Sequence, residues 1–243
     1  MVRSAAVVVC LLAVAACRGP AAVVGEDAAV AAKAGEASVK PGINKDFLDP
    51  ALDVAKYEER FEGESREIFA QRAHIAGLLG LREGMAVADV GAGTGLFTMM
   101  FAGKVGAAGK VYAVDIAPKF VEHVAEVAAK RKLTNVEGVL CTDHSTMLPA
   151  DSVDLVFVCD TYHHFEYPNA TLASIHAALR AGGELVIVDF IREVGVSRPW
   201  ILDHVRAGRD VVQREVEAAG FEFVRVEATP FLKENYQMRF RRR

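Results

Sequence analysis

Val87-Ala88-Asp89-Val90-Gly91-Ala92-Gly93-Thr94-Gly95 is the stretch that decides the fold, because an apolar strand runs directly into a glycine turn. Three glycines within five positions allow positive φ angles and let the backbone approach a ligand that any Cβ would displace. A helix that begins after such a turn offers free N–H donors at its start. The stretch therefore predicts a nucleotide-like ligand at a strand-to-helix turn.

The spacing of these glycines narrows the choice of ligand. The dinucleotide fingerprint G-x-G-x-x-G needs a glycine at position 96, where this chain has Leu96. A second apolar strand, Lys110–Asp115, ends in an acid roughly 20 residues downstream, where such folds place a carboxylate for ribose hydroxyls. Asp115 is thus predicted to bind a ribose. The alternative is that the glycines only permit tight packing and that Asp115 caps the helix before Pro118.

With these residues the chain resembles the class I S-adenosylmethionine (SAM)-dependent methyltransferases, over roughly residues 46–243. In that family D-x-G-x-G-x-G follows the first strand and an acid ends the second. The resemblance implies SAM as cofactor, with its methionine part at the glycine turn (Asp89, Gly91, Gly93 and Gly95) and its ribose on Asp115. Asp143 matches the family's acid near the adenine. A nicotinamide or flavin cofactor is the alternative.

The resemblance also implies the fold class, an α/β protein with a doubly wound, mostly parallel seven-stranded Rossmann-like sheet of strand order 3-2-1-4-5-7-6. The alternating pattern fits it. We predict later strands at Val153–Val158, Glu184–Phe190, Phe221–Glu227 and Tyr236–Phe240, and helices at Pro118–Lys132, Asn169–Arg180 and Gly208–Ala219. The segment Phe47–Leu81 is predicted to be helical and, as in similar methyltransferases, to pack over the cofactor as part of a substrate lid. Its Tyr57, Glu62 and Arg66 either face the pocket or lie on an exposed helix face.

The loop Cys159–Phe165 follows the fourth strand, at the edge of the sheet where ligands bind. In the family it lies near the transferring methyl group. We predict that His163 or His164 lines the pocket and that one of them acts as the catalytic base if the acceptor is protonated. The alternative is that the pair only caps the adenine side or the next helix. Asp160, the second residue of the loop, is predicted to bind the cofactor.

Acids after the fourth and fifth strands, Asp160 and Asp189, resemble the metal-binding arrangement of catechol-type O-methyltransferases. The Asp-Asn pair of that arrangement is absent, since Asp189 is followed by Phe190 and Ile191. No metal ligand is therefore predicted.

The N-terminal 17 residues are typical of a bacterial secretory signal. A short basic start precedes the apolar run Ala5–Ala16, which is too short to span a bilayer as a helix. Val14-Ala15-Ala16 before Cys17 resembles a lipobox, which implies a lipid on Cys17 and a protein anchored in the cell envelope, facing the periplasm. An ordinary signal peptide or a cytoplasmic protein are the alternatives. Residues 18–45, which hold no aromatic side chain, are predicted to be a flexible tether.

Composition places the remaining chain in an ordinary globular class. With 243 residues, 52% of them hydrophobic, the chain can bury one sizeable core, and residues 46–243 are predicted to form one catalytic domain. A net charge of -4 gives no general attraction to nucleic acid, so no such partner is expected. Cys141 and Cys159 are expected to be inert buried thiols, too far apart to bridge. The sequence indicates no oligomeric state.

The chain is therefore predicted to be a SAM-dependent methyltransferase of a small-molecule acceptor. The alternative is a membrane-tethered binding protein that uses the same fold without turnover. The leader motivates this alternative, because SAM is made in the cytoplasm. The complete set of glycine and acid positions argues against it.

Overall fold

Seven strands form one sheet within the part of the chain that the computed structural model describes, which is Met1 and residues 35–63 and 66–243. The strands are β1 (Ala86–Val90), β2 (Lys110–Asp115), β3 (Val136–Leu140), β4 (Val153–Cys159), β5 (Leu179–Phe190), β6 (Phe221–Val226) and β7 (Asn235–Arg242). Their order is β3-β2-β1-β4-β5-β7-β6, and only β7 runs antiparallel to its neighbours. This confirms the predicted α/β fold class and strand order.

Helices cover both faces of the sheet. They are α1 (Val54–Phe61), α2 (Glu67–Leu78), α3 (Leu96–Val105), α4 (Pro118–Lys130), α5 (Pro168–Ala178), α6 (Pro199–His204) and α7 (Arg209–Ala218), with a 3₁₀ turn at Tyr162–His164. The predicted helical segment Phe47–Leu81 is thus two helices with a break between them. Helix α5 ends earlier than predicted because Leu179 has extended backbone and begins β5.

The core lies on both faces of the central strands. Every residue of β1 is buried, and alternate residues point to opposite faces, so that Ala88 and Val90 join one apolar cluster and Val87 joins the other. Strand β1 pairs with β2 on one side and β4 on the other, both parallel. The carboxyl ends of these strands therefore meet at one edge of the sheet, where the strand order reverses and ligands bind in such folds.

The predicted tether over residues 18–45 is wrong for its last part. Residues 18–34 lie outside the described residues, but the segment that follows packs on the domain. Val39 N–H donates to the carbonyl of Glu166 at 2.9 Å, and both carboxylate oxygens of Glu36 accept from backbone N–H groups in the first turn of α5. These are long-range polar contacts, which the low apolar content of the segment does not reveal.

The predicted leader, residues 1–17 with Cys10 and Cys17, lies outside the described residues except for Met1. Among the residues that are described, no helix is both long enough and apolar enough to cross a bilayer.

Candidate active site

The glycine loop between β1 and α3 has the conformation that its sequence predicts. Gly91, Gly93 and Gly95 have φ angles of 75°, 52° and 85°. A Cβ on Gly91 would lie 2.2 Å from the Thr161 hydroxyl oxygen, so only glycine fits there. The N–H of Gly91 donates to the carbonyl of Val114 at 2.8 Å, which fixes the loop against β2.

Asp115 lies beneath this loop at the end of β2. Its Oδ2 accepts from Gly93 N–H at 2.8 Å and its Oδ1 accepts from Ala117 N–H at 2.9 Å. Burial raises the pKa of this carboxyl to about 6, against the opposing effect of those N–H donors. Each carboxylate oxygen can accept a second hydrogen bond, so Asp115 is still able to bind two vicinal hydroxyls.

Asp89 is buried within β1, next to the loop. Its Oδ2 accepts from the Thr98 hydroxyl at 2.6 Å, and burial raises its pKa to about 7. The neighbouring charge of Asp115 contributes to this rise. Both carboxyl groups line the same cavity.

The cavity has a volume of about 630 Å³, within the range of small-molecule sites. The ends of β1, β2 and β4 form its floor. The segment between residues 40 and 68 covers it and supplies ten lining residues: Lys40, Ile43, Asn44, Asp46, Phe47, Tyr57, Arg60, Phe61, Arg66 and Ile68. This segment therefore occupies the position expected of a lid.

An aromatic cluster holds the lid in place. Phe47, Tyr57, Phe61 and Phe120 lie with ring centroids 5.4 to 6.2 Å apart, of which Phe120 belongs to α4. Such tilted and edge-on contacts contribute beyond the burial of the rings. Of the three polar lid residues singled out from the sequence, Tyr57 and Arg66 line the cavity, and Glu62 accepts from the Thr94 hydroxyl in the glycine loop at 3.0 Å.

Asp160 connects the lid to the sheet. Its Oδ2 accepts from Arg66 at 2.5 Å, and its Oδ1 accepts from the Asn235 side chain at 2.6 Å. Burial raises its pKa to about 6, against the opposing charge of Arg66. Asp160 also has a φ of 48°, which is rare for a residue with a side chain. It lines the cavity, and its two protein partners indicate that it shapes the wall.

Asp143 also lines the cavity, in the loop after β3. Its Oδ1 lies 2.6 Å from Nδ1 of His144, whose ring stacks on Tyr167 with centroids 3.7 Å apart. The structure therefore brings Asp89, Asp115, Asp143 and Asp160 around one space, as the sequence analysis predicted for a single ligand. Their roles as cofactor-binding residues stay predictions.

The two candidate bases have different environments. His164 lines the cavity, whereas His163 lies behind it and is only 4% exposed. His163 Nδ1 is 2.7 Å from Oδ1 of Asp189, whose Oδ2 accepts the His163 backbone N–H. Burial, together with the neighbouring His163 and His204, lowers the pKa of His164 to about 2. His164 is therefore a neutral imidazole with little power as a base.

Several lining residues have no signal in the sequence. His204 and Trp200 of α6 line the cavity, with His204 next to His164, and Asn44 and Lys40 reach it from the N-terminal segment. Asn44 Nδ2 donates to the carbonyl of His164 at 3.0 Å, across 120 residues of sequence. Only the clustering of polar residues in an otherwise irregular segment could have drawn attention to them.

The two described cysteines are both free thiols at the edge of the cavity. Cys141 follows β3 and Cys159 ends β4, with β2 and β1 lying between those strands. Burial raises the pKa of Cys141 to about 12 and that of Cys159 well above its usual value. Both are thus protonated at neutral pH and weakly reactive.

Known proteins to which this chain is similar in sequence are methyltransferases. Residues 88–187 match the family model described as a methyltransferase domain. The chain is 27% identical over 120 residues to the ubiquinone/menaquinone biosynthesis C-methyltransferase UbiE of Marinomonas sp. (strain MWYL1), covering 49% of this chain and 48% of that protein. It is 32% identical over 114 residues to the aklanonic acid methyltransferase DauC of Streptomyces sp. (strain C5), covering 46% and 51%.

Among solved structures, a SAM-dependent methyltransferase from Aquifex aeolicus superimposes with a TM-score of 0.68. It is 28% identical, and the match covers 79% of this chain and 100% of that one. The chain spans about half the length of the curated relatives it matches. These likenesses support a class I methyltransferase fold with SAM as its cofactor.

Proposed function

We propose that this chain is a SAM-dependent methyltransferase that acts on a small-molecule acceptor. One observation supports this most strongly: the glycine loop and Asp115 are joined by the hydrogen bond from Gly93 N–H and open into one cavity. In this arrangement a ribose binds to the carboxylate while the adjacent amino acid part of the cofactor lies against backbone that carries no Cβ.

The charge of the cavity suits SAM. Its sulfonium and ammonium groups are both positive, and the cavity is lined by the acids Asp46, Asp89, Asp115, Asp143, Asp160 and Asp203. Three basic residues, Lys40, Arg60 and Arg66, lie on the lid side. A cation in a partly enclosed space with an excess of carboxylates is stabilised by their charge.

SAM supplies an electrophilic methyl carbon attached to a positively charged sulfur. The protein must then hold the acceptor in line with that bond and exclude water, which are the roles that the aromatic lid and the ends of β4 and β5 are placed to perform. His164 and His204 lie at this end as largely neutral imidazoles, because burial lowers the pKa of both. They suit hydrogen bonding to an acceptor better than storage of its proton.

The class of acceptor is proposed from the relatives. Both named relatives are methyltransferases of small organic molecules, one acting in ubiquinone and menaquinone biosynthesis and one on aklanonic acid. The cavity volume of about 630 Å³ and its aromatic lining fit an acceptor of similar kind beside the cofactor.

The first experiment is calorimetric titration of SAM and of S-adenosylhomocysteine into the purified full chain. We expect micromolar binding that Asp115→Ala weakens by at least about tenfold, since hydrogen bonds to a charged group contribute about 1.5–3 kcal/mol each. Asp210→Ala, which changes an exposed acid of α7, is the matched control and should bind like the wild type. Failure of the folded wild type to bind either ligand contradicts the proposal and favours a binding protein without turnover.

We further propose that Cys17 is lipidated and that the domain is anchored in the bacterial cell envelope, facing the periplasm. The support is the apolar run followed by Val14-Ala15-Ala16-Cys17. Growth of a producing bacterium with an alkyne-tagged fatty acid should label the wild type and Cys10→Ser, but not Cys17→Ser. Equal labelling of the two variants, or none of the wild type, contradicts the anchor and favours an ordinary signal peptide or a cytoplasmic protein.

A further inference from the structure

Three histidine rings meet beside the cavity. One ring nitrogen each from His163, His164 and His204 lies within 4.8 Å of the other two. The ring centroids are 4.5, 5.2 and 5.1 Å apart, and Nε2 of His164 is 3.3 Å from Nε2 of His204. Imidazoles converge in this way around transition metals, for which histidine is the commonest protein ligand.

Hydrogen bonding fixes which nitrogens are free. A carboxylate only accepts, so Nδ1 of His163 donates its proton to Asp189, and Nε2 is the ring nitrogen that remains available to a metal. The Asn44 amide donates to the carbonyl of His164, which leaves its oxygen 3.2 Å from Nδ1 of that ring. His164 therefore donates from Nδ1 as well, and its Nε2 also carries a lone pair.

This pattern is the one that orients metal ligands. Metal-binding histidines donate the other ring N–H to a carboxylate or carbonyl oxygen, which sets the tautomer and raises the basicity of the ligating nitrogen. Asp189 and Asn44 supply those acceptors, and Asp189 is itself buried and held by the backbone N–H groups of His163 and Phe190.

The separation between Nε2 of His164 and Nε2 of His204 matches the spacing of two ligands around a tetrahedral metal ion. Ligand nitrogens about 2.0–2.1 Å from zinc in tetrahedral geometry lie about 3.3 Å apart. His164 and His204 already have this spacing at 3.3 Å. The other two separations between ring nitrogens are at most 4.8 Å, so the His163 ring must move closer to the other two when an ion binds.

We propose that His163, His164 and His204 form a binding site for a divalent transition metal of the zinc class, at the acceptor end of the cavity. Two of these residues line the cavity, so a bound ion is accessible from it. The Lys40 ammonium donates to the carbonyl oxygens of Asp203 and His204.

A metal at this position differs from the prediction made from the sequence, where Asp160 and Asp189 lack the full metal-binding pattern and no metal ligand is expected. It would polarise an acceptor hydroxyl or thiol and lower its pKa, a consequence that rests on the proposed transferase function. Metal binding itself does not depend on that function.

The test is titration of Co²⁺ into the purified, chelator-treated full chain, followed by displacement with Zn²⁺. We expect one equivalent of Co²⁺ to produce the intense visible absorption of a tetrahedral complex, and Zn²⁺ to abolish it. His164→Gln and His204→Gln should each weaken binding by at least about tenfold, and Asp189→Asn by about 10–100-fold. His74→Gln, which changes an exposed histidine of α2, is the matched control.

Circular dichroism shows whether each variant is folded, and the SAM titration is run separately on the same samples. Folded wild type that gives no tetrahedral spectrum overturns the site, as does binding that the His164 and His204 variants leave unchanged. In that case the 3.3 Å contact is an ordinary N–H···N hydrogen bond between two imidazoles. SAM binding without metal binding rejects only the metal, and the reverse rejects only the transferase.

Discussion

The backbone N–H of Gly93 donates a 2.8 Å hydrogen bond to Oδ2 of Asp115, so the glycine loop and the end of β2 form one unit. The same carboxyl is almost fully buried, and burial raises its pKa to about 6. The group proposed to bind the ribose thus changes its charge close to neutral pH.

SAM affinity should fall as the pH is lowered through about 6. Below that pH Asp115 is protonated in the free protein, and binding a cation beside a carboxylate must first release that proton. The loss attributable to Asp115 approaches about tenfold per pH unit. Calorimetry between pH 5 and 8 measures it. Asp115→Asn should bind weakly with a flatter profile, and parallel profiles for the two proteins would contradict the assignment.

Gly91→Ala should destabilise the protein more than Gly84→Ala. Both glycines have positive φ angles, 75° and 83°, so each alanine carries a backbone cost of about 1–2 kcal/mol. Only at Gly91 does the new Cβ also meet Thr161, at 2.2 Å from its hydroxyl oxygen. Overpacking adds about 1–3 kcal/mol. Urea unfolding of both variants separates the two effects.

Relief of that clash provides the control. Adding Thr161→Gly to Gly91→Ala removes all three atoms that the new Cβ meets, so the double variant should recover part of the lost stability. Equal stability of Gly91→Ala and Gly84→Ala would show that Thr161 does not lie close enough to Gly91 to exclude a Cβ.

Asp89→Asn should gain stability over the wild type as the pH rises from 5 to 8. The carboxyl ionises at about 7 in the folded protein and at 3.8 when it is freely solvated, as in the unfolded chain, so the folded state holds an extra proton between these values. The free energy of unfolding of the wild type therefore falls as the pH rises towards about 7. Ionisation of Asp89 accounts for about 3 kcal/mol of this fall between pH 5 and pH 8.

The measurement is urea unfolding of both proteins without ligand at the two pH values. Asp210→Asn, at an exposed acid of α7, should show a nearly constant difference from the wild type. A difference for Asp89→Asn that does not change with pH would show that Asp89 ionises normally in the fold.

The glycine turn and the strand-end acids could be predicted because their signal is local. Gly91, Gly93 and Gly95 adopt the positive φ angles that their spacing implies, and Asp115 ends β2 as expected. Continuous apolar runs likewise predict the central strands. Parallel strands that are covered on both faces lack the alternation of apolar and polar residues that half-exposed strands show.

The part of the cavity around His164 and His204 could not be predicted in the same way. His204 meets His164 across 40 residues, and Asn44 reaches His164 across 120, through contacts that no local pattern encodes. The segment over residues 36–45 has the composition of a linker, yet Glu36 accepts from the N–H of Ala170 and Val39 donates to the carbonyl of Glu166, which holds it to the domain. Polar contacts of this kind leave no periodic signal in the sequence.

Asp189→Asn should destabilise the fold by about 1–3 kcal/mol, because both oxygens of this buried side chain act only as hydrogen-bond acceptors. Its Oδ1 accepts from the ring of His163 and the N–H of Phe190, and its Oδ2 accepts from the N–H of His163. An amide replaces one oxygen with a donor, so at least one N–H is left unpaired in either orientation. Urea unfolding measures the loss. Asp53→Asn is the matched control, since asparagine caps a helix as well as aspartate does. Equal stability of these two variants would show that Asp189 is not held as an acceptor.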